Sequence, residues 1–296
     1  MRALVVLLAG CNQLYGLGPT GVISETDSDD DGIIDARDNC PLVANSDQRD
    51  EDGDSVGDVC DNCPFIANAQ QEAIGDGDAL GDLCDPHAAV DGDCLLVQDT
   101  FTDPGAFADH WQVISNEVAP QVHASPGEVS IEPILFAGGI AVVARDGVPL
   151  GERLDVVAVG RLDHVSPDST VEVGAVTNVA AIGDGFRCDL MNGPNGLGVA
   201  SQAPGTVFQP QVPLSAVPIG DALVLRVATE IRGGNVQVRC RIAYGLAAGA
   251  YESPTGTLAS PPGSAGVLTT HDPLVLEAIA ISRFQPGEPC PPTIVR

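Results

Sequence analysis

The stretch Asp27-Ser28-Asp29-Asp30-Asp31-Gly32-Ile33-Ile34-Asp35-Ala36-Arg37-Asp38 decides how the chain is read. Asp27, Asp29, Asp31, Asp35 and Asp38 fall at positions 1, 3, 5, 9 and 12 of a twelve-residue frame, the ladder of oxygen ligands that a hard cation takes. Asp50, Asp52, Asp54, Asp58 and Asp61 repeat that ladder. In a third copy Ile74 stands where the first carboxylate should be, followed by Asp76, Asp78, Asp82 and Asp85, so this site is expected to be weaker. Position 7, where a backbone carbonyl would coordinate, is Ile33, Val56 or Leu80, whose side chains can point away from the ion. Glycine serves the tight bends such a loop needs. Gly32 lies at position 6 of the first loop, whereas Gly53 and Gly57 flank the central ligand of the second, so the turns are expected to differ in detail. An EF-hand is excluded, because position 12 is Asp rather than Glu and no amphipathic helix flanks any loop.

The frames start 23 and 24 residues apart, a true internal repeat. Asp38-Asn39-Cys40-Pro41 and Asp61-Asn62-Cys63-Pro64 recur at that period, with Asn45 and Gln48 answered by Asn68 and Gln71. Together these residues resemble thrombospondin type 3 repeats over residues 27–85. The resemblance implies Ca2+ wrapped by a chain with little regular secondary structure. It also implies disulfides from each DNCP cysteine to the next GDxCD cysteine, here Cys40 with Cys60 and Cys63 with Cys84. Zinc on the Cys60–Cys63 CxxC pair is the competing reading, but the surrounding carboxylates favour calcium or magnesium. Composition alone would suggest a disordered acidic tail; the periodicity and the cysteines argue against one.

Charge is concentrated in the same region. Residues 25–93 hold 18 Asp, 3 Glu and 2 Arg, a net charge of −19 out of −28 for all 296 residues. No Lys occurs, and the 13 Arg are scattered, so the chain has no footprint for phosphate backbones and no nucleic acid is expected as a partner. Nine cysteines point to export.

At the amino end, Arg2 and the apolar residues 3–9 have the order of a secretory signal. Leu8-Ala9-Gly10-Cys11 resembles the lipobox of bacterial lipoproteins. That resemblance implies removal of residues 1–10, lipid on Cys11 and a membrane anchor made of acyl chains. Asn12 in place of Asp implies, by resemblance to lipoprotein sorting, the outer membrane of a bacterial envelope. Residues 11–26, with Gly16, Gly18, Pro19 and Gly21, read as a flexible tether.

The composition changes near residue 94. Residues 94–290 read as a second, mainly β domain, with 291–296 as a tail. Val236, Val238, Cys240 and Ile242 alternate with Gln237, Arg239 and Arg241, as in a half-buried strand. Leu223, Leu225 and Val227 alternate in the strand before it, with Arg232-Gly233-Gly234-Asn235 as the turn. Phe186, Cys188 and Leu190 alternate likewise, which predicts a Cys188–Cys240 disulfide across the core. Many short strands with Gly and Pro turns predict a two-sheet antiparallel sandwich. Asp99-Thr100-Phe101, Phe107-Ala108-Asp109-His110-Trp111 and a closing strand over residues 274–284 resemble the ends of concanavalin A-like jelly rolls of the laminin-G and glucanase type, and that resemblance implies a jelly-roll sandwich. Cys94 and Cys290 bracket the domain, and a bridge between them is expected.

Catalytic signals are missing from the sequence. There is no ExDxxE run of the kind jelly-roll glycosidases carry, no GxSxG elbow and no HExxH. The readings left are a binding module for a glycan or a protein, as in adhesion, held off the membrane by a calcium stalk, and a purely structural spacer. Glycoside chemistry would need a non-standard site. Aromatic residues make up only 4% of the chain, so a sugar-stacking platform would be sparse.

Overall fold

A computed structural model describes residues 26–74, 78, 80–85, 92–115, 121–133, 139–144, 152–164, 172–179, 185–193, 196–202, 212–213, 219–232, 235–244, 247–257, 264–270, 272–287 and 294–295. Cys11, Asp76 and Cys290, and with them the proposed signal, most of the tether and the predicted partner of Cys94, lie outside the described residues.

Residues 26–74 contain turns and bends but no helix or strand, as expected where ligand-bearing loops leave no room for a repeating hydrogen-bond ladder. Regular structure starts at β1 (Asp93–Asp99), followed by one helical turn, α1 (Phe107–His110). Then come β2 (Trp111–Ser115), β3 (Gln121–Ser125), β4 (Glu128–Glu132), β5 (Ile140–Ala144), β6 (Arg153–Arg161), β7 (Glu172–Val179) and β8 (Phe186–Gly193). The chain continues through β9 (Gly196–Gln202), β10 (Val212–Pro213), β11 (Leu223–Arg232), β12 (Asn235–Tyr244), β13 (Ala247–Thr257), β14 (Ser264–Thr269), β15 (Leu274–Phe284) and β16 (Ile294–Val295).

Among the described residues these strands make two sheets. One runs β13-β12-β11-β6-β15-β1-β16, with the β3–β4 hairpin joined through β4 to β15; the other runs β10-β9-β8-β7-β14-β5-β2. Neighbours are antiparallel except for β1 and β16, which run parallel. Side chains alternate across each strand, so Leu154, Val156 and Ala158 of β6 and Leu225, Val227, Val238 and Ile242 of β11 and β12 face Val173, Ala175, Phe186 and Leu190 of the other sheet in one core. The fold is the predicted mainly-β, two-sheet sandwich. The predicted hairpin is present, with Arg232 paired to Asn235, and β15 has the predicted bounds. No helix among the described residues is long and apolar enough to cross a membrane.

The disulfides Cys40–Cys60 and Cys63–Cys84 are formed. They split the CxxC pair between two bridges and leave no thiolates there for zinc. Cys94 is also disulfide-bonded, to a cysteine outside the described residues. The predicted Cys188–Cys240 bond is corrected: both remain thiols, buried and in contact as hydrogen-bonding neighbours. Cys188 is on β8 and Cys240 on β12, in opposite sheets. Sheets about 10 Å apart let facing thiols touch, but a bond also needs the two backbones to close to roughly 4.4–6.8 Å between Cα atoms with matched Cβ directions. Burial and the neighbouring sulfur push the Cys188 thiol well above its ordinary value.

The repeats do not stand clear of the sandwich as a stalk would. Arg49, between the first two loops, donates to the carbonyl oxygens of Thr100 (3.2 Å), Gly127 (3.1 Å) and Glu277 (3.2 Å), and pairs with Glu51. Gln98 of β1 donates to the Asp58 carbonyl. One fork-shaped cation thus donates to three backbone carbonyls of the sandwich. Charged hydrogen bonds contribute about 1.5–3 kcal/mol each, discounted for partial exposure. Arg49→Ala is therefore expected to cost about 2–3 kcal/mol of stability in calcium and to raise amide exchange around Thr100 and Gly127, read by hydrogen-exchange mass spectrometry. Lys, with a single ammonium, should rescue little of this.

Candidate metal centre

The first two loops fold on the same hydrogen bonds. Asp27 accepts from the amides of Asp30 and Gly32, and Asp50 from those of Gly53, Asp54 and Ser55. Asp35 accepts from the Ser28 amide (2.9 Å) and Asp58 from the Glu51 amide (2.8 Å), which closes each loop across its mouth. Ile33, Val56 and Leu80 each donate their amide to the carboxylate two residues before, on Asp31, Asp54 and Asp78. The turns do not differ as expected. Positions 4 and 6 are left-handed in both loops, Asp30 and Gly32 in the first (φ 65° and 96°), Gly53 and Ser55 in the second (φ 78° at both). Glycine takes one of the two positions in each loop and a small polar residue the other, a pairing that αL backbone tolerates.

Asp27, Asp29 and Asp31 bring carboxylate oxygens within 4.8 Å of one another, and so do Asp50, Asp52 and Asp54. Three like charges at this spacing are a ligand set waiting for a cation. Asp29, Asp38 and Asp52 each keep one Oδ2 that is buried and accepts no hydrogen bond, although buried carboxylates ordinarily find donors. The second oxygens of Asp38 and Asp61 are held in place by Cys40 and Gln48, and by Cys63 and Gln71. Hard carboxylate oxygens in a tight loop, some without donors, fit Ca2+.

The third loop departs from the frame. The Asp82 carboxylate accepts from the Ile74 amide (2.9 Å), the role Ser28 and Glu51 fill for Asp35 and Asp58, so Ile74 stands at position 2 and Ala73 at position 1. No carboxylate opens this loop, and an extra residue lies between Ile74 and Asp78. Its oxygens come from elsewhere: Asp78 and Asp85 gather with Asp93, the first residue of β1. The Asp93 amide donates to Asp78 Oδ2 at 3.1 Å, in the place where Asn45 and Asn68 donate to Asp31 and Asp54. Asp93 was not among the expected ligands; the Asp91-Gly92-Asp93 triplet before Cys94 was the available signal.

Residues 21–48 and 48–71 match the family model of the thrombospondin type 3 repeat. Thrombospondin type 3 repeats bind calcium, and the matched stretch carries both aspartate triads. Solved structures similar to the sandwich include three sugar-binding folds. Lectin I-B4 of Griffonia simplicifolia, metal-free, has a TM-score of 0.45 and 8% identity over 63% of this chain and 99% of that one. The Lotus tetragonolobus seed lectin has 0.44 and 10% over 60% and 94%. The VIP36 exoplasmic/lumenal domain, in a Ca2+/Man2-bound form, has 0.43 and 9% over 67% and 90%. These are likenesses of fold. No curated protein matches the chain.

Protons compete with the cation. Burial, then the Asp54 and Asp61 carboxylates, raise Asp52 from 3.8 to about 6. Asp58 is also raised to about 6, by burial first and then by Glu51. A value raised above that of the unfolded chain means that the cation-free loop is favoured by protonation: this contribution is full below the ordinary carboxylate value and lost as pH rises through about 6. Calcium binding needs both groups ionised. Its affinity at the second loop is expected to fall about tenfold for each such group between pH 7.4 and 5, checked by calorimetric titration at the two pH values.

Proposed function

We propose that the chain is a calcium-dependent recognition protein of a bacterial envelope, tethered by lipid on Cys11, in which ion-held repeats brace a β-sandwich that binds a glycan or a protein. The observation that carries the calcium half is the pair of aspartate triads within the residues that match the thrombospondin type 3 repeat model. Docking of those repeats through Arg49 supports the rest, because it makes the sandwich surface depend on the state of the loops. The lack of ExDxxE, GxSxG and HExxH in the sequence supports recognition over catalysis. A structural spacer is the weaker reading, since a repeat segment folded back on its own sandwich spans less distance than an extended one.

The test is a glycan-array and envelope-protein screen of the full chain carrying Cys11→Ser, run with calcium and then with chelator. Saturable, calcium-dependent binding to one class supports recognition; a blank from folded protein moves the reading to the spacer. Metabolic labelling of the native chain with an alkyne fatty acid, lost in Cys11→Ser, tests the anchor, and density-gradient separation of the labelled membranes tests the outer-membrane localisation.

A further inference from the structure

The register of the first sheet lays arginine directly opposite arginine. Arg241 of β12 pairs with Arg226 of β11, and the row continues through Val157 of β6 to Ala280 of β15. These side chains point away from the core, toward the repeats. Like charges directly opposite on adjacent strands destabilise a sheet, and neutralisation here is incomplete. Asp155 serves both Arg153 (2.6 Å) and Arg226 (3.3 Å), and Glu230 serves Arg239 (3.2 Å). Arg241 is exposed, and among the described residues it forms no ion pair. In a chain of net charge −28 with 13 cations, four arginines gather on this face, with Asp155, Glu230 and Asp85 as the carboxylates beside them.

The same row floors a cavity of about 450 Å³, roofed by Pro64, Phe65, Ile66 and Leu80 of the repeats. Val157, Val224, Ala243 and Ala280 make its apolar floor; Arg226 and Arg241 stand in its lining with Asp155, which already pairs with Arg226, so Arg241 is the cation left for a ligand. This size lies within the roughly 300–1,000 Å³ of ligand pockets, which pair apolar walls with a few placed polar groups. An arginine fork presents two parallel donors to a carboxylate. We infer that this groove between the second disulfide-bonded repeat and the outer face of the sheet binds a small amphiphile, with one carboxylate on Arg241 and an apolar body under Phe65. The site is separate from the glycan or protein reading and stands or falls apart from it.

Decanoate is the probe, titrated calorimetrically into the full chain in calcium, with decanol as the uncharged control. Decanoate is expected to bind saturably at one site and at least tenfold tighter than decanol. Arg241→Gln, at an exposed position that folding does not need, should weaken decanoate about tenfold and leave decanol unchanged. Ala243→Trp should fill the groove and abolish both, with near-ultraviolet circular dichroism confirming a folded sandwich. Absence of saturable decanoate binding to the folded wild-type chain overturns the inference. So does binding that neither substitution alters.

Discussion

Chelation of calcium is expected to convert residues 27–85 into a floppy coil stapled by Cys40–Cys60 and Cys63–Cys84, while the sandwich core stays folded. Carboxylate oxygens of each triad lie within 4.8 Å of one another, and two unit charges at that distance repel by about 3.5 kcal/mol at an effective dielectric near 20. No helix or sheet ladder in residues 26–74 offsets this. Calcium bound at the roughly 0.1–1 mM typical of extracellular modules returns about 4–5.5 kcal/mol per ion. Each disulfide, closing a loop of about 20 residues, adds on the order of 3 kcal/mol by limiting the unfolded chain. The bridges therefore bound the disorder without preventing it. Limited proteolysis in excess chelator should cut within residues 27–85 and spare β11, β12 and β15; protection equal to that in calcium would contradict the account.

Trp111→Ala should be the most damaging single change in the sandwich. Trp111 is 1% exposed, packs on Phe101 with ring centres 5.8 Å apart, and donates its indole N–H to Asp99 Oδ2 at 2.6 Å. Emptying a buried tryptophan site costs about 3–5 kcal/mol, to which the lost donor to a buried carboxylate adds. Thermal unfolding in calcium should fall by about 6–20 °C at 2–4 °C per kcal/mol for a domain of this size. Trp111→Phe, which keeps a ring but loses the N–H, should lie between the two; a drop under 3 °C for the alanine variant would show that the site collapses onto the void.

The loops and the strands were legible for one reason: each is a short-range pattern written in residue type. The aspartate ladder returns every 23 residues, and Leu223, Leu225 and Val227 alternate because one face is buried. What escaped depends on contacts between distant segments. Nothing local in Arg49 says that its guanidinium reaches Glu277, 228 residues away. Asp93 looked like the end of the acidic run, and only folding shows it completing a loop that starts without a carboxylate. The spacing of Cys188 and Cys240 on their strands correctly turned both inward, but alternation sets a side chain's face and not the backbone geometry that decides whether two facing sulfurs bond. The shift of Ile74 to position 2 was invisible for a similar reason, since an inserted residue reads as a substitution until the hydrogen bonds show which amide closes the loop.

The amide of Asn45 bonds to Asp31, that of Asn68 to Asp54 and that of Asp93 to Asp78, so each loop is latched by the segment after it and the last latch is the sandwich itself. The sandwich caps this series, and it also grips the second loop directly through Arg49 and Gln98, whereas the first loop is latched through Asn45 of the next repeat. Order at Asp27, Asp29 and Asp31 is therefore expected to be lost before order in the second loop as calcium falls, so that calcium would be read as a length of ordered repeat and not as a single on or off state.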